Sequence, residues 1–282
     1  MSGAYIGDTG VKGVNRLNSN NRISAQYTVG GASAGTGVSF STVGGQQMAA
    51  FFASDFITFN GIAVNPDSYV NKKTSKYVAT ETGGAPPTSF NWLIVAGGSH
   101  GGGGMGEGTQ TGLNLEGQKL TVTVASSGRN NSSISSPALP STIERTGGGG
   151  AGGQGQPGGS GGGAGRDGPH TGGSGNAGGY SPPEGNNGGP GCGPPFGGGG
   201  GGGGAGGSGQ GARGCGPNNE RGGGGGPGRS SNFVGEERFY SRGGTQGTCN
   251  GPCAGPGGPS PFGLQNTGDS GRSGVIYIKY ST

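Results

Sequence analysis

The chain has 282 residues and a formal charge of +4, yet only 26% of it is hydrophobic. Ordinary globular domains are nearly half apolar, so one conventional core spanning the whole length is excluded. Glycine is the cause: 56 of the 80 fall between 147 and 274 and the other 24 before it, so the chain reads as two materials joined end to end.

Charge placement excludes more. All six lysines (Lys12, Lys72, Lys73, Lys76, Lys119, Lys279) lie outside 147–274, where seven arginines face six acids, so this stretch is no polyelectrolyte arm. The first residues, M-S-G-A-Y-I-G-D-T-G, lack a basic start followed by an apolar run, so no secretory leader is read there. No stretch approaches eighteen consecutive apolar residues, so no membrane insertion is expected and the chain reads as soluble.

From 1 to 80 short strand-like pieces are cut by Gly, Asn and Ser: Ala4–Ile6, Ile23–Val29, Val38–Val43, Asp55–Phe59, Ser68–Val70 and Tyr77–Thr80. Gln46–Phe52 has the composition for one or two helical turns. The region is read as a small β-rich attachment module. Residues 81–146 follow as framing strands and a loop. F-N-W-L-I-V-A-G-G (90–98) looks like a buried strand, carries the only tryptophan, and opens directly into glycine. In Leu113–Ala125 the second half alternates Leu120, Val122 and Val124 with Thr121 and Thr123, the period of a half-buried strand. Residues 126–146, with Pro137 and Pro140, read as a loop. The chain closes on G-V-I-Y-I-K-Y-S-T, a strand with Val275, Tyr277 and Lys279 on one face and Ile276, Ile278 and Tyr280 on the other.

The glycine-rich part, 147–282 with its closing strand, has three readings. Gly/Ser tracts behave as flexible coil. Collagen needs glycine at every third position, and runs such as Gly197–Gly204 break that phase. The third reading is a bundle of polyglycine helices with three residues per turn, in which chains without β-carbons approach until each N–H meets a carbonyl on a neighbour. Ordering a residue costs about 1–2 kcal/mol and a backbone hydrogen bond returns about 0.5–1.5, so such a bundle needs a frame. The strands at Trp92–Ala96, Leu120–Ala125 and Val275–Tyr280 are expected to pair into one small sheet that supplies it. The fold class is therefore mostly β with a polyglycine II-type helical bundle and little α-helix.

N-W-L-I-V-A-G-G with its following glycines, then L-T-V-T-V-A-S-S-G, then a long Gly/Ser/Pro stretch and a final S-G-V-I-Y-I-K-Y resemble the glycine-rich domain near the ends of bacteriophage tail and tail-fibre proteins. The likeness covers about residues 88–282, and A-Y-I-G-D-T-G-V-K-G-V (4–14) is similar to attachment segments of phage tail proteins. The sequence departs from that pattern in A-S-S after the T-V-T-V strand and in its four cysteines. The resemblance implies a structural virion protein at the distal end of a tail or tail fibre. It would be assembled in the host cytoplasm and extracellular when mature, docked to other tail proteins through residues 1–80, homo-oligomeric with a trimer favoured, and would present loops to a host-surface glycan or protein. A subunit of an extracellular filament is the alternative.

Chemistry is sparse. No G-x-G-x-x-G opens a helix in a βαβ unit, and His100 and His170 sit in glycine tracts without a carboxylate pair or serine elbow, so no enzyme and no cofactor are expected. Cys192, Cys215, Cys249 and Cys253 lack the spacing of a zinc site and stand as disulfide candidates. Two R-G-G triplets, at Arg221 and Arg242, invite nucleic-acid binding, but the near-neutral balance of the segment argues against it. Side chains with bulk collect in islands between glycine runs. Tyr180, Phe196, Arg213, Asn218, Arg221, Phe233, Arg238, Phe239, Tyr240, Arg242 and Phe262 are the residues expected to form a receptor-binding surface of aromatic anchors and polar contacts. The competing expectation is that some of these aromatics turn inward and brace the bundle.

Overall fold

The computed structural model describes residues 27–29, 32–34, 38–59, 63–64, 81–82, 86–166, 170–193, 198–213, 222–245 and 268–281. Among them there is no α-helix. Fifteen strands follow in chain order: β1 (Tyr27–Val29), β2 (Ala32–Ala34), β3 (Val38–Val43), β4 (Gln46–Phe51), β5 (Asp55–Phe59), β6 (Ala63–Val64), β7 (Glu81–Thr82) and β8 (Phe90–Val95), then β9 (Met105–Gln110), β10 (Lys119–Thr123), β11 (Ser132–Ser135), β12 (Ile143–Arg145), β13 (Arg229–Ser231), β14 (Arg238–Tyr240) and β15 (Val275–Tyr280).

Two antiparallel sheets carry the fold. One has the order β1-β2-β5-β10-β11-β12, the other β3-β4-β15-β8-β9. Alternation in the sequence decides which side chains meet between them. Leu120 and Val122 of β10, Ile57 and Phe59 of β5 and Ile134 of β11 face Phe90, Trp92 and Ile94 of β8, Phe51 of β4 and Ile276, Ile278 and Tyr280 of β15 in one apolar cluster. The Phe59 and Tyr280 rings meet edge-on across the gap at 4.8 Å. Burying each such side chain contributes about 1.5–3 kcal/mol, which makes this sandwich the main source of stability.

The five-stranded sheet is covered on its second face too. Leu93, Val95, Val275, Tyr277, Met48 and Ala50 pack with Ala205, Phe233 and Tyr240, which the glycine-rich segment supplies. Burial on both faces explains why β8 and β15 read as near-continuous apolar runs, broken only by Asn91 and Lys279. The hairpin β13–β14 belongs to this cover.

Several expectations are corrected. Gln46–Phe51 is a strand, not helical: Gly44 and Gly45 take φ of +60° and +80°, the requirement of a tight two-residue hairpin turn, and return the chain along β3. The stretch 126–146 contains β11 and β12, because Ile134 and Ile143 can be buried where the chain re-enters the sheet. The Leu120 strand does not join the terminal strand: β15 pairs with β8 and β4, and β10 pairs with β5 and β11 in the opposing sheet. Residues 38–59 do not stand apart from the later chain, since β4 lies against β15 and β5 against β10. Composition changes at 80 and 146, but the apolar faces on either side of those points need one another. The strand expectations at Ala4–Ile6, Ser68–Val70 and Tyr77–Thr80 lie outside the described residues, as does Ile23–Val29 apart from β1.

Candidate binding surface

β8 opens into glycine because the loop that follows is enclosed by other segments. Residues 96–104 form a loop closed at its base by Ala96 N–H to Gly104 O (2.9 Å), and β9 leads back beside β8. The loop is almost wholly buried, and its amides reach outward to other segments: Gly98 to Arg272 O (2.8 Å), Gly101 to Gly149 O (2.8 Å), Gly102 to Gly203 O (3.0 Å) and Gly103 to Gly268 O (2.8 Å).

Like 158–164, residues 198–204 are buried throughout. Their bonds repeat every third residue. Gly200 and Gly203 donate to Ala164 O (2.9 Å) and Gly161 O (2.8 Å). The carbonyls of Gly199 and Gly202 accept from Gly223 and Gly226, both at 2.8 Å, and those of Gly198 and Gly201 from Cys192 (2.9 Å) and Gly189 (2.7 Å). Gly201 donates to Gln210 O and Gly202 to Gly244 O, both at 2.9 Å. Successive residues thus turn to different neighbours, and the obligatory backbone pairing is met between segments rather than within one. Space, not φ, demands glycine here. A Cβ on Gly163 would stand closer than 3.0 Å to the carbonyl oxygen and carbon of Gly200, and Gly188 and Gly209 are as tightly placed against Gly162 and Gly201.

One joint fixes this layered segment to the sheets. Arg145, at the end of β12, is buried, with its guanidinium 5.0 Å from the Trp92 ring and 4.3 Å from the Tyr180 ring. Gly106 and Gly108, two apart on β9 and therefore on one face, leave the room that guanidinium and indole occupy. Beside the stack, the fully buried Glu184 accepts from Thr146 N–H at 2.9 Å and Gly178 N–H at 3.2 Å. Burial lowers the Arg145 pKa, with Glu184 and Tyr180 acting the other way. Tyr180 is raised by burial and then by Glu184.

The expected surface residues divide. Tyr240 is fully buried and Phe233 nearly so, the latter packed on Tyr277 with Lys279 Nζ 4.3 Å from its ring; neither is a surface anchor, because the second face of the five-stranded sheet needs them. Tyr180 is half-buried in the Arg145 joint. Arg238 is half-buried and pairs with Glu236. Arg242 is half-buried, its backbone N–H donating to Asp269 Oδ1 at 2.8 Å. Phe239, 39% exposed, and Arg213, which bonds to Gln210, remain on the surface. Phe196, Asn218, Arg221 and Phe262 lie outside the described residues. Cys192 is buried and disulfide-bonded; Cys215, Cys249 and Cys253 lie outside the described residues.

Sequence reading missed four residues. Arg145, Glu184 and Asp269 are buried charged or ionisable groups, and Phe52 is 41% exposed. A charged residue next to the only tryptophan's strand partners gives no sequence signal, since the contact spans more than fifty residues. Among the described residues no group of three His, Cys, Asp or Glu is placed to hold a metal ion.

The fold and this surface together define a two-sheet β-sandwich with one sheet clad by a backbone-bonded glycine layer. Comparison with protein-family models, with curated proteins and with solved structures finds no match to the chain.

Proposed function

We propose that this chain is a structural, non-enzymatic protein of the distal end of a bacteriophage tail or tail fibre, and that its glycine layer is a bundle of polyglycine II-type helices holding recognition loops. The observation that carries the reading is the three-residue repeat of bonds around 198–204, the period such helices require. The sequence likeness to phage glycine-rich domains supports the setting. Rigid backbone without side chains makes a scaffold from which the bulky residues left outside, such as Phe239 on β14, project. Phe239 and Arg213, with the island residues around them, are the contacts proposed for a host-surface glycan or protein. Other tail proteins, and further copies of the chain in a trimer, are the proposed partners.

The test is exchange of the islands. Particles carrying Phe239→Ser and Arg213→Glu should assemble with the same protein composition and lose adsorption to the host. Adsorption unchanged in both variants would remove the recognition role.

A further inference from the structure

His100 is 4% exposed, inside the glycine loop that leaves β8. Its Nδ1 accepts the N–H of Gly163 at 3.0 Å. Its carbonyl accepts the N–H of Gly244 at 2.8 Å, while the next residues of the loop bond to Gly149 and Gly203. The loop carrying His100 therefore bonds to four glycine segments, one of them through the imidazole itself. With Nδ1 accepting, the neutral ring carries its proton on Nε2, and that atom has no partner among the described residues.

We propose that His100 is a proton-sensitive latch of the glycine layer, closed when the ring is neutral and opened by acid. A second proton has to enter at Nδ1, where it destroys the bond to Gly163 and leaves two N–H groups facing one another. The cation would also lie among groups that cannot neutralise it. Residues 158–164 and 198–204 contain no ionisable side chain, and the nearest in sequence is Arg166. The 241–245 segment brings Arg242, a like charge, and the 268–274 turn brings Arg272 and Asp269, whose carboxylate already faces the charges of Arg242 and Arg272. Burial accordingly holds the His100 pKa below its ordinary value. The sign follows: the opened state binds the proton first, so closure is complete above the ordinary histidine pKa of ~6.5 and is lost as pH falls below it. This inference is independent of the proposed receptor surface and of the phage setting.

The test is amide exchange of Gly163 and Gly203 in the full chain between pH 8 and 5, expressed as protection relative to intrinsic rates, for the native sequence and for His100→Asn. Asparagine sets Oδ1 near the Nδ1 position, keeps an acceptor and does not titrate. The native chain should lose protection about tenfold per pH unit below ~6.5, and the variant should stay flat. Asp269→Asn serves as a control: burial raises the Asp269 pKa, so that carboxyl responds to acid with the opposite sign. Parallel loss in native chain and variant, or no loss in either, overturns the proposal. Should His100→Asn fail to fold, the imidazole nitrogen shifts of the native chain decide instead: titration near 6.5 with protection retained also overturns it.

Discussion

Gly163 and Gly200 lie back to back, so close that a single methyl group on the first would overlap the carbonyl of the second. The obstacle is buried backbone on both sides and cannot step aside. Gly163→Ala should therefore destabilise the chain by about 1–3 kcal/mol or more, as overpacking does. Gly150→Ala is the matched control, since the nearest atom to a Cβ there is at 3.8 Å. It should be neutral or stabilise by about 0.4–1 kcal/mol through the unfolded chain. Urea unfolding of both variants distinguishes a glycine layer held by space from a flexible tract, in which the two substitutions would behave alike.

The joint at Arg145 makes a second prediction. Arg145→Lys keeps the charge but loses the planar group between Trp92 and Tyr180, at a cost of about 1–2 kcal/mol. Glu184→Gln places an NH2 group against one of two backbone N–H donors and should cost about 1–3 kcal/mol. Trp92 is the only tryptophan, so its fluorescence reports on this joint directly. Both variants should shift its emission and lower the unfolding midpoint.

A third prediction concerns Cys192, buried and disulfide-bonded beside the central glycine run. Replacing it by serine removes the cross-link and should lower stability by about 2–4 kcal/mol. Equal unfolding midpoints for the native chain and Cys192→Ser would show that the bond contributes nothing.

Asp269 supplies a pH-dependent prediction. Burial raises its carboxyl pKa above the unfolded value, so the folded chain holds that proton more tightly. Stability from this group is present below the unfolded pKa of ~3.9 and lost as pH rises through the folded value. Asp269→Asn keeps an oxygen for the Arg242 N–H and removes the charge. The variant should be more stable than the native chain at pH 7, with the difference shrinking in acid; calorimetric scans at pH 7 and pH 4 read it.

What could be read from sequence was what alternation and composition encode. Val38–Val43, Asp55–Phe59, the Leu120–Val122–Val124 face and both faces of Val275–Tyr280 emerge as written, because each strand's burial follows its own residues. Gln46–Phe51 did not, since M-A-A-F suits a helix until Gly44–Gly45 forces the chain back along β3. Which strands pair was hidden for a different reason: β15 takes its neighbours from residues 46–51 and 90–95, and nothing local records contacts that distant. The surface was legible only as a set of bulky islands. The inward turn of Phe233 and Tyr240 depends on the second face of the five-stranded sheet, whose strands come from distant parts of the chain.

Amide bonds to surrounding segments hold residues 198–204 in place. Hydrogen–deuterium exchange of peptides covering this run in the intact chain at pH 8 measures this directly. Protection matching that of β8 and β15 is the predicted result. Exchange at random-coil rates in 198–204, with β8 and β15 still protected, would show that these bonds do not hold the run.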